Sequence, residues 1–225
     1  MTKHKDANKR SSFSLASFFI FAAVFIFAFY LRGDQVKAAT QELHGWAWSS
    51  NIGWIGFHCA DVSACGSTNY KVLLDDVSGN MSGYAWSSSI GWVQFNPAGP
   101  YPEAPTVSVD VDFLTGQVTG WARACSVFVS GCSGVLKGNS ERGGWDGWIK
   151  MSDGGSPAYG VTYDNVTGKF SGFSWGSDSI GWLRFCDPSG SPVWCVTSPL
   201  PADLIISLGP SLNSGTLTPG NSVTF

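Results

Sequence analysis

Apolar and polar positions alternate along many short stretches of this chain, and turn-forming residues separate those stretches. A β-strand places successive side chains on opposite faces, so alternation over about four to eight residues predicts a strand. Glycine, serine, asparagine and aspartate bound the stretches, as they do in tight hairpin turns. The pattern predicts an all-β fold made of short strands.

The strands belong to a repeat. A Gly-aromatic-Ala-x stretch followed by Gly-Trp-Ile-x-Phe, or a close variant of it, begins at Gly45, Gly83, Gly120 and Gly172. The third copy carries an insertion between Cys125 and Asp146 and has Arg123 where the other copies have Trp. Self-similarity of this kind indicates a repeat architecture of about four units.

Each later copy is preceded by a further alternating stretch that ends in Asp-x-x-Ser/Thr-Gly, at residues 70–79, 107–116 and 159–168. This sequence predicts a leader strand and a tight hairpin turn, with Asp capping the turn and Gly in the left-handed conformation. One repeat is then three short strands. The first copy has no clear leader strand, so that strand is either absent or supplied from elsewhere in the chain.

Alternation also assigns the two faces of the third strand. One face is wholly apolar and is predicted to form the core: Ile55, Phe57, Val93, Phe95, Ile149, Met151, Leu183 and Phe185. The opposite face holds four Trp that we expect to be half exposed: Trp54, Trp92, Trp148 and Trp182. Lys150 and Arg184 share that face and are expected to lie over nearby Trp rings. Propeller-like, sandwich-like and solenoid closures all fit four such units.

The first 38 residues predict an export signal. A basic leader is followed by the uncharged stretch 11–31, which is apolar and rich in Phe, and by small residues before position 39. Its length fits a cleaved signal peptide or a retained signal anchor. Without residues 1–38 the chain has 7 Lys+Arg (13 minus 6) and 14 Asp+Glu (16 minus 2), a net charge of −7. An acidic exported domain is not expected to bind nucleic acid, and it would contact a membrane only through the N-terminal segment.

The six cysteines form three close pairs along the chain. In an exported protein such pairs predict disulfides, although six cysteines allow 15 connectivities. Sequence neighbourhood favours Cys59–Cys65, Cys125–Cys132 and Cys186–Cys195. Cys-x-x-Cys or Cys/His spacing typical of a metal site does not occur, so no metal and no cofactor are expected.

Two resemblances place the chain in a wider setting. The Gly-x-Ala-Trp-Ser…Ile-Gly-Trp-Ile-x-Phe repeat, over residues 43–187, is similar to repeats in uncharacterised bacterial exported proteins. After a linker at 198–201, residues 202–225 resemble the opening of an immunoglobulin-like β-sandwich of bacterial surface proteins. Because such a sandwich needs about seven strands, the chain is expected to be a fragment of a longer protein. The resemblance implies a cell-surface setting for the repeat domain at 40–197, and it brings no catalytic residues with it.

Catalytic motifs are missing as well, and the repeated turn aspartates are expected to cap turns rather than to bind calcium. We therefore expect a non-catalytic exported module with a structural or adhesive role. The alternative is a glycan-binding module that uses Trp54, Trp92, Trp148 and Trp182, with a cell-wall or extracellular glycan or another surface protein as partner. A secreted glycoside hydrolase is the third hypothesis, and it would require two carboxylates in a Trp-lined groove.

Overall fold

A computed structural model describes residues 40–190 and 193–199. The predicted signal segment, the end of the linker and the immunoglobulin-like segment lie outside these residues. The described residues belong to one compact unit, Ala38–Phe225. They are nearly all strand and turn, with one short α-helix at Ser177–Ile180 and two 3-10 helices at Cys59–Val62 and Cys125–Val127. Within the described ranges, no helix is long and apolar enough to cross a membrane.

The strands follow the predicted repeats. The first repeat holds β1 (Thr40–Leu43), β2 (Trp46–Ser49) and β3 (Gly53–Gly56), and the second holds β4 (Val72–Asp75), β5 (Met81–Ser87) and β6 (Gly91–Gln94). The third holds β7 (Asp110–Val111), β8 (Gln117–Thr119), β9 (Trp121–Ala124) and β10 (Trp148–Lys150). After β11 (Ser152–Asp153), the fourth holds β12 (Tyr159–Asp164), β13 (Lys169–Trp175) and β14 (Trp182–Arg184). Strands β15 (Cys186–Asp187) and β16 (Trp194–Cys195) pair with each other.

The last two strands of each repeat form a hairpin, and the four hairpins join edge to edge. The order β2-β3-β5-β6-β9-β10-β13-β14 closes on itself, because β14 pairs with β2. We call this closed set of eight antiparallel strands the hairpin ring. It differs from the propeller-like, sandwich-like and solenoid closures considered above. Edge-to-edge pairing satisfies the backbone groups that each isolated hairpin would leave open.

The leader strands form a second closed set beside the hairpin ring. β4 lies between β1 and β5. The segment at 109–111 lies between β5 and β8, and β12 lies between β8 and β13. Residues 196–198, the closure segment, lie between β13 and β1. The Phe170 amide donates to the Val196 carbonyl (2.9 Å), and His44 and Thr197 exchange two backbone hydrogen bonds of 2.8 Å. β1 corresponds to the start of β5 and not to a leader strand, because Leu43 and Met81 both lie two residues before the glycine that opens their repeat. The leader strand missing from the first repeat is therefore supplied by the opposite end of the domain.

The two closed sets of strands share one apolar core, to which every repeat contributes equivalent residues. The predicted core face of the third strand is confirmed, since none of its eight side chains is more than 3% exposed. Equivalent leader positions add Val72, Val109, Val161 and Val196, all fully buried. Another set of equivalent positions holds Ala47, Ala85, Ala122 and Ser174, which are also fully buried. The core is thus built from sets of four similar side chains.

Ser174 is the exception within its set, because its hydroxyl is buried and finds no hydrogen-bond partner in the described part of the chain. A buried polar group without a partner costs about 1–3 kcal/mol. We expect Ser174→Ala to raise the free energy of unfolding by about 1 kcal/mol, measured by urea denaturation. Ser88→Ala, at an exposed position in a hairpin loop, is the control and should change stability by less than about 0.5 kcal/mol. A loss of stability in Ser174→Ala would contradict this account.

All three predicted disulfides are present: Cys59–Cys65, Cys125–Cys132 and Cys186–Cys195. Each closes a short loop beside a repeat. Three such bonds indicate that the protein folds in an extracellular or otherwise oxidising compartment.

Candidate functional site

The outer face of the hairpin ring carries paired aromatic rings at equivalent positions. Direct cross-strand partners are Trp48 with Trp54, Trp86 with Trp92, and Trp175 with Trp182. Their ring centroids are 4.7, 4.5 and 4.6 Å apart. The third repeat replaces the first member of its pair by Arg123, whose guanidinium lies 4.2 Å from the centroid of the Trp148 ring. In the first two repeats, one further pair of strand residues separates the Trp pair from the hairpin loop. The loops of these repeats expose Ser and Asn side chains.

The four Trp expected at a binding face differ in exposure. Trp54 and Trp182 are 43% and 41% exposed, and Trp92 is half-buried. Trp148 is only 6% exposed, so the expectation of half exposure is wrong for this residue. Arg123 covers one side of its ring, and Tyr101, from the segment between the second and third repeats, lies 5.4 Å away.

A second aromatic residue supports each of these four Trp. Trp194 contacts Trp54, Tyr70 contacts Trp92, and Tyr159 contacts Trp182 in edge-on geometry, with centroids 5.1, 5.1 and 4.9 Å apart. Tyr101 takes this place beside Trp148. The alternation within the hairpin strands does not indicate that these four supporting residues belong to the aromatic surface. The signal for three of them is in the sequence, because each comes two residues before the buried leader valine of its set.

The cations of this face follow the prediction in part. The ammonium of Lys150 lies 5.5 Å from the centroid of the Trp121 ring, as expected. Arg184 instead lies over the Phe173 ring, at 6.0 Å.

A cleft of about 440 Å³ opens beside Trp92. Its apolar wall is formed by Tyr70, Tyr84 and Trp92, and its polar rim includes Asn69 and Lys71. An aromatic wall with a few polar groups at the rim is typical of small-ligand sites.

A smaller cleft, of about 240 Å³, lies at the third repeat. Its aromatic lining is Trp121, Trp145, Trp148, Tyr159 and Trp175, and its charged lining is Glu103, Asp146, Lys150 and Asp153. We call it the third-repeat cleft. Glu103 comes from the segment before the leader strand, and Trp145 and Asp146 come from the insertion.

Lys150 is the buried charge of this cleft, with 7% of the residue exposed. Its ammonium donates to Glu103 Oε1 (2.6 Å) and to Asp153 Oδ2 (3.1 Å). Burial opposes the charge, but these two hydrogen bonds outweigh it and raise the pKa of Lys150. The hydrogen bond from Lys150 lowers the pKa of Asp153. Lys150 and Asp153 are therefore both charged at neutral pH.

The hydrolase hypothesis requires two carboxylates in a Trp-lined groove, and this cleft carries three, Glu103, Asp146 and Asp153. A glycosidase acid is kept protonated by a raised pKa. Here a single ammonium bridges Glu103 and Asp153, and the pKa of Asp153 is lowered. The arrangement is suited to accepting hydrogen bonds from a ligand.

A cluster of Glu42, His44 and His58 brings three potential metal-ligand atoms within 4.8 Å of one another. Both Lys71 and His58 already bond Glu42, with His58 Nε2 at 3.0 Å, and together they lower the pKa of Glu42. His58 Nδ1 accepts the Ala60 amide hydrogen, which assigns the ring proton to Nε2. A metal ion would have to displace both donors from Glu42, so the arrangement fits a polar link between β1 and the start of β4.

The repeated turn aspartates cap their own turns, as predicted. Asp75, Asp112 and Asp164 each accept hydrogen bonds from two backbone amides and from the Ser or Thr hydroxyl three residues later. These bonds lower the pKa of all three carboxyl groups. The turn geometry alone accounts for these residues.

Comparisons of the chain with protein-family models, curated proteins and solved structures found no match.

Proposed function

We propose that this protein is a non-catalytic, exported cell-surface module that adheres to neutral glycans through the outer face of its hairpin ring. The observation that carries the proposal is the cross-strand Trp pair, which recurs in three of the four repeats with at least one ring open to solvent. Trp54, Trp86 and Trp182 are each 37% exposed or more.

Open aromatic rings suit the apolar faces of pyranose sugars. A ring that is fixed at its edge by a neighbouring aromatic loses little conformational freedom when a ligand stacks on it. Three of the four Trp expected at the binding face are fixed in this way: Trp54 by Trp194, Trp92 by Tyr70, and Trp182 by Tyr159. Several open aromatics on one protein are more typical of a binding surface than of a face exposed to water.

The chemistry next to the Trp pairs of the first two repeats favours an uncharged ligand. The outward side chains of β2, β3, β5 and β6 are aromatic or uncharged, with Gln94 as the polar member. The adjoining hairpin loops present Ser50, Asn51, Ser88 and Ser89. Hydroxyl and amide groups can exchange hydrogen bonds with sugar hydroxyls, whereas a charged ligand would find no partner among these side chains.

The repeats also support avidity. Three equivalent Trp pairs around one ring can engage several residues of a polysaccharide, or several chains, at once. Linked weak sites give an apparent affinity well above that of a single site. An adhesive role requires this kind of binding.

The experiment uses the unit Ala38–Phe225, which holds the described core and all three disulfides. Soluble oligosaccharides from cellulose, chitin, xylan and mannan are titrated while Trp fluorescence is recorded. We expect saturable quenching with at least one of these classes and about tenfold weaker binding by Trp54→Ala or Trp182→Ala. Leu114→Ala, which removes a 98% exposed apolar side chain elsewhere, is the matched control and should bind normally. Unchanged fluorescence with every glycan would overturn the proposal.

A further inference from the structure

The third repeat departs from the pattern of the other three, and its departures meet at one cavity. Its insertion supplies Trp145 and Asp146, and the segment before it supplies Glu103. Lys150 stands where the other repeats have Gly56, Gln94 and Arg184. The third-repeat cleft therefore combines residues specific to this repeat with Tyr159 and Trp175 of the fourth repeat. Its lining includes neither Trp pair of the first two repeats.

Three of the hydrogen-bond donors of the cleft are already engaged within the protein. Trp121 Nε1 donates to the carbonyl of Pro105 (2.9 Å), and Trp145 Nε1 donates to the carbonyl of Trp148 (3.1 Å). The Lys150 ammonium already donates to both Glu103 and Asp153. A ligand that enters the cleft meets exposed carboxylate oxygens and aromatic rings.

The negatively charged side chains of the cleft are more exposed than the positively charged one, so a ligand contacts them first. The lining carries three acidic residues and one basic residue, a formal charge of −2 (1 minus 3). The Glu103 and Asp153 side chains are 60% and 41% exposed, whereas the Lys150 side chain is 9% exposed and lies beneath them. The mouth of the cleft is thus negative, which disfavours anions and attracts cations.

We propose that the third-repeat cleft is a binding site for a small organic ammonium ion, meaning a protonated or quaternary amine on a frame no larger than about one sugar ring. Aromatic faces together with carboxylates recognise such ions through cation–π attraction and charge pairing. A cavity of about 240 Å³ admits one group of this size and not the body of a polymer.

The first test needs no variant, because it compares cationic ligands with uncharged ones; the members of the choline pair also have equal shape. Choline and its uncharged isostere 3,3-dimethylbutan-1-ol are titrated into the unit Ala38–Phe225 by calorimetry, and glucosamine is compared with N-acetylglucosamine. We expect at least about tenfold tighter binding of the cationic member in one or both pairs. If only glucosamine shows this preference, the ligand class is an amino sugar. If only choline shows it, the ligand class is a quaternary amine. Equal binding within both pairs, or no binding of either cation, would overturn the proposal.

The second test locates the site. Glu103→Gln removes one exposed negative charge and leaves Asp153 to hold Lys150, so folding should persist. We expect its affinity for the bound cation to fall about tenfold. Asp178→Asn is the matched control: it makes the same change of charge on an exposed residue beside the lining residue Ser177, and its affinity should change less than about twofold. An equal loss in the two variants would point to general electrostatic attraction and would overturn the site.

This inference and the proposed function fail separately. Loss of ammonium binding in Glu103→Gln should leave glycan binding unchanged, and loss of glycan binding in Trp54→Ala should leave ammonium binding unchanged.

Discussion

Val196→Asp should unfold the domain or come close to doing so. Val196 is fully buried in the closure segment, its carbonyl accepts from the Phe170 amide, and its amide donates to the Phe185 carbonyl (2.9 Å). A carboxylate at this position would be buried among the equivalent leader valines without a partner, and it would separate the two ends of the repeat array. We expect a loss of about 3–5 kcal/mol in the free energy of unfolding, measured by urea denaturation.

The same substitution three residues earlier provides the control. Val193 is 59% exposed and precedes β16, so Val193→Asp should change the free energy of unfolding by less than about 0.5 kcal/mol. The disulfide Cys186–Cys195 stays intact in both variants, so a difference between them reports on the closure segment itself. Equal stability of the two variants would mean that residues 196–198 do not hold the second closed set of strands together.

The local parts of this fold could be predicted from the sequence because they depend on local rules. Alternation along Gly-Trp-Ile-x-Phe assigned Ile55 and Phe57 to the core, and both are at most 2% exposed. The Asp-x-x-Ser/Thr-Gly turns form with the predicted aspartate caps. The disulfides pair as neighbours, since a short loop between two cysteines brings them together in any hairpin arrangement.

The closure of the second set of strands could not be predicted in the same way, because it joins residues from opposite ends of the domain. Residue 44 pairs with residue 197, and nothing in the alternation near His44 indicates that partner. A signal does exist in the alignment of repeats. Trp194-Cys195-Val196-Thr197 matches Tyr159-Gly160-Val161-Thr162, with an aromatic residue, a buried valine and a β-branched residue at the same positions. This copy of the leader strand follows the last repeat instead of preceding the first, so a comparison of the residues upstream of each repeat does not find it.

The candidate site was predictable where the repeats are regular and not where they diverge. The position shared by Trp54, Trp92 and Trp182 gave the correct outer face, because the period of a strand fixes it. Trp148 occupies the same position, yet it is covered by Arg123 and Tyr101. Arg123 is the regular cross-strand partner of Trp148. Tyr101 comes from the irregular segment between the second and third repeats, whose position follows from tertiary packing rather than from periodicity. The third-repeat cleft takes Glu103 from the same segment and Trp145 and Asp146 from the insertion, so it could not be predicted from periodicity either.

The glycine that opens each repeat marks the crossing between the two closed sets of strands, and replacing one should be severe. Gly83 has φ +83°, and a Cβ built there would overlap the Lys71 carbonyl oxygen of the leader strand. Gly45, Gly120 and Gly172 meet equivalent carbonyls in the same way. We expect Gly83→Ala to lower the free energy of unfolding by about 3 kcal/mol or more, since it adds a backbone overlap to a left-handed conformation.

A substitution at a second glycine separates the cost of the left-handed conformation from the cost of the backbone overlap. Gly134 has φ +92° in the insertion, and a Cβ there would meet nothing within 4 Å. Gly134→Ala therefore bears the conformational cost alone, about 1–2 kcal/mol. Urea denaturation of both variants measures the difference, which we assign to the close approach of the leader carbonyl. If the two alanines cost the same, the glycine would be required for its backbone angle alone, and the leader strand would not need to pass this close to the hairpin strand.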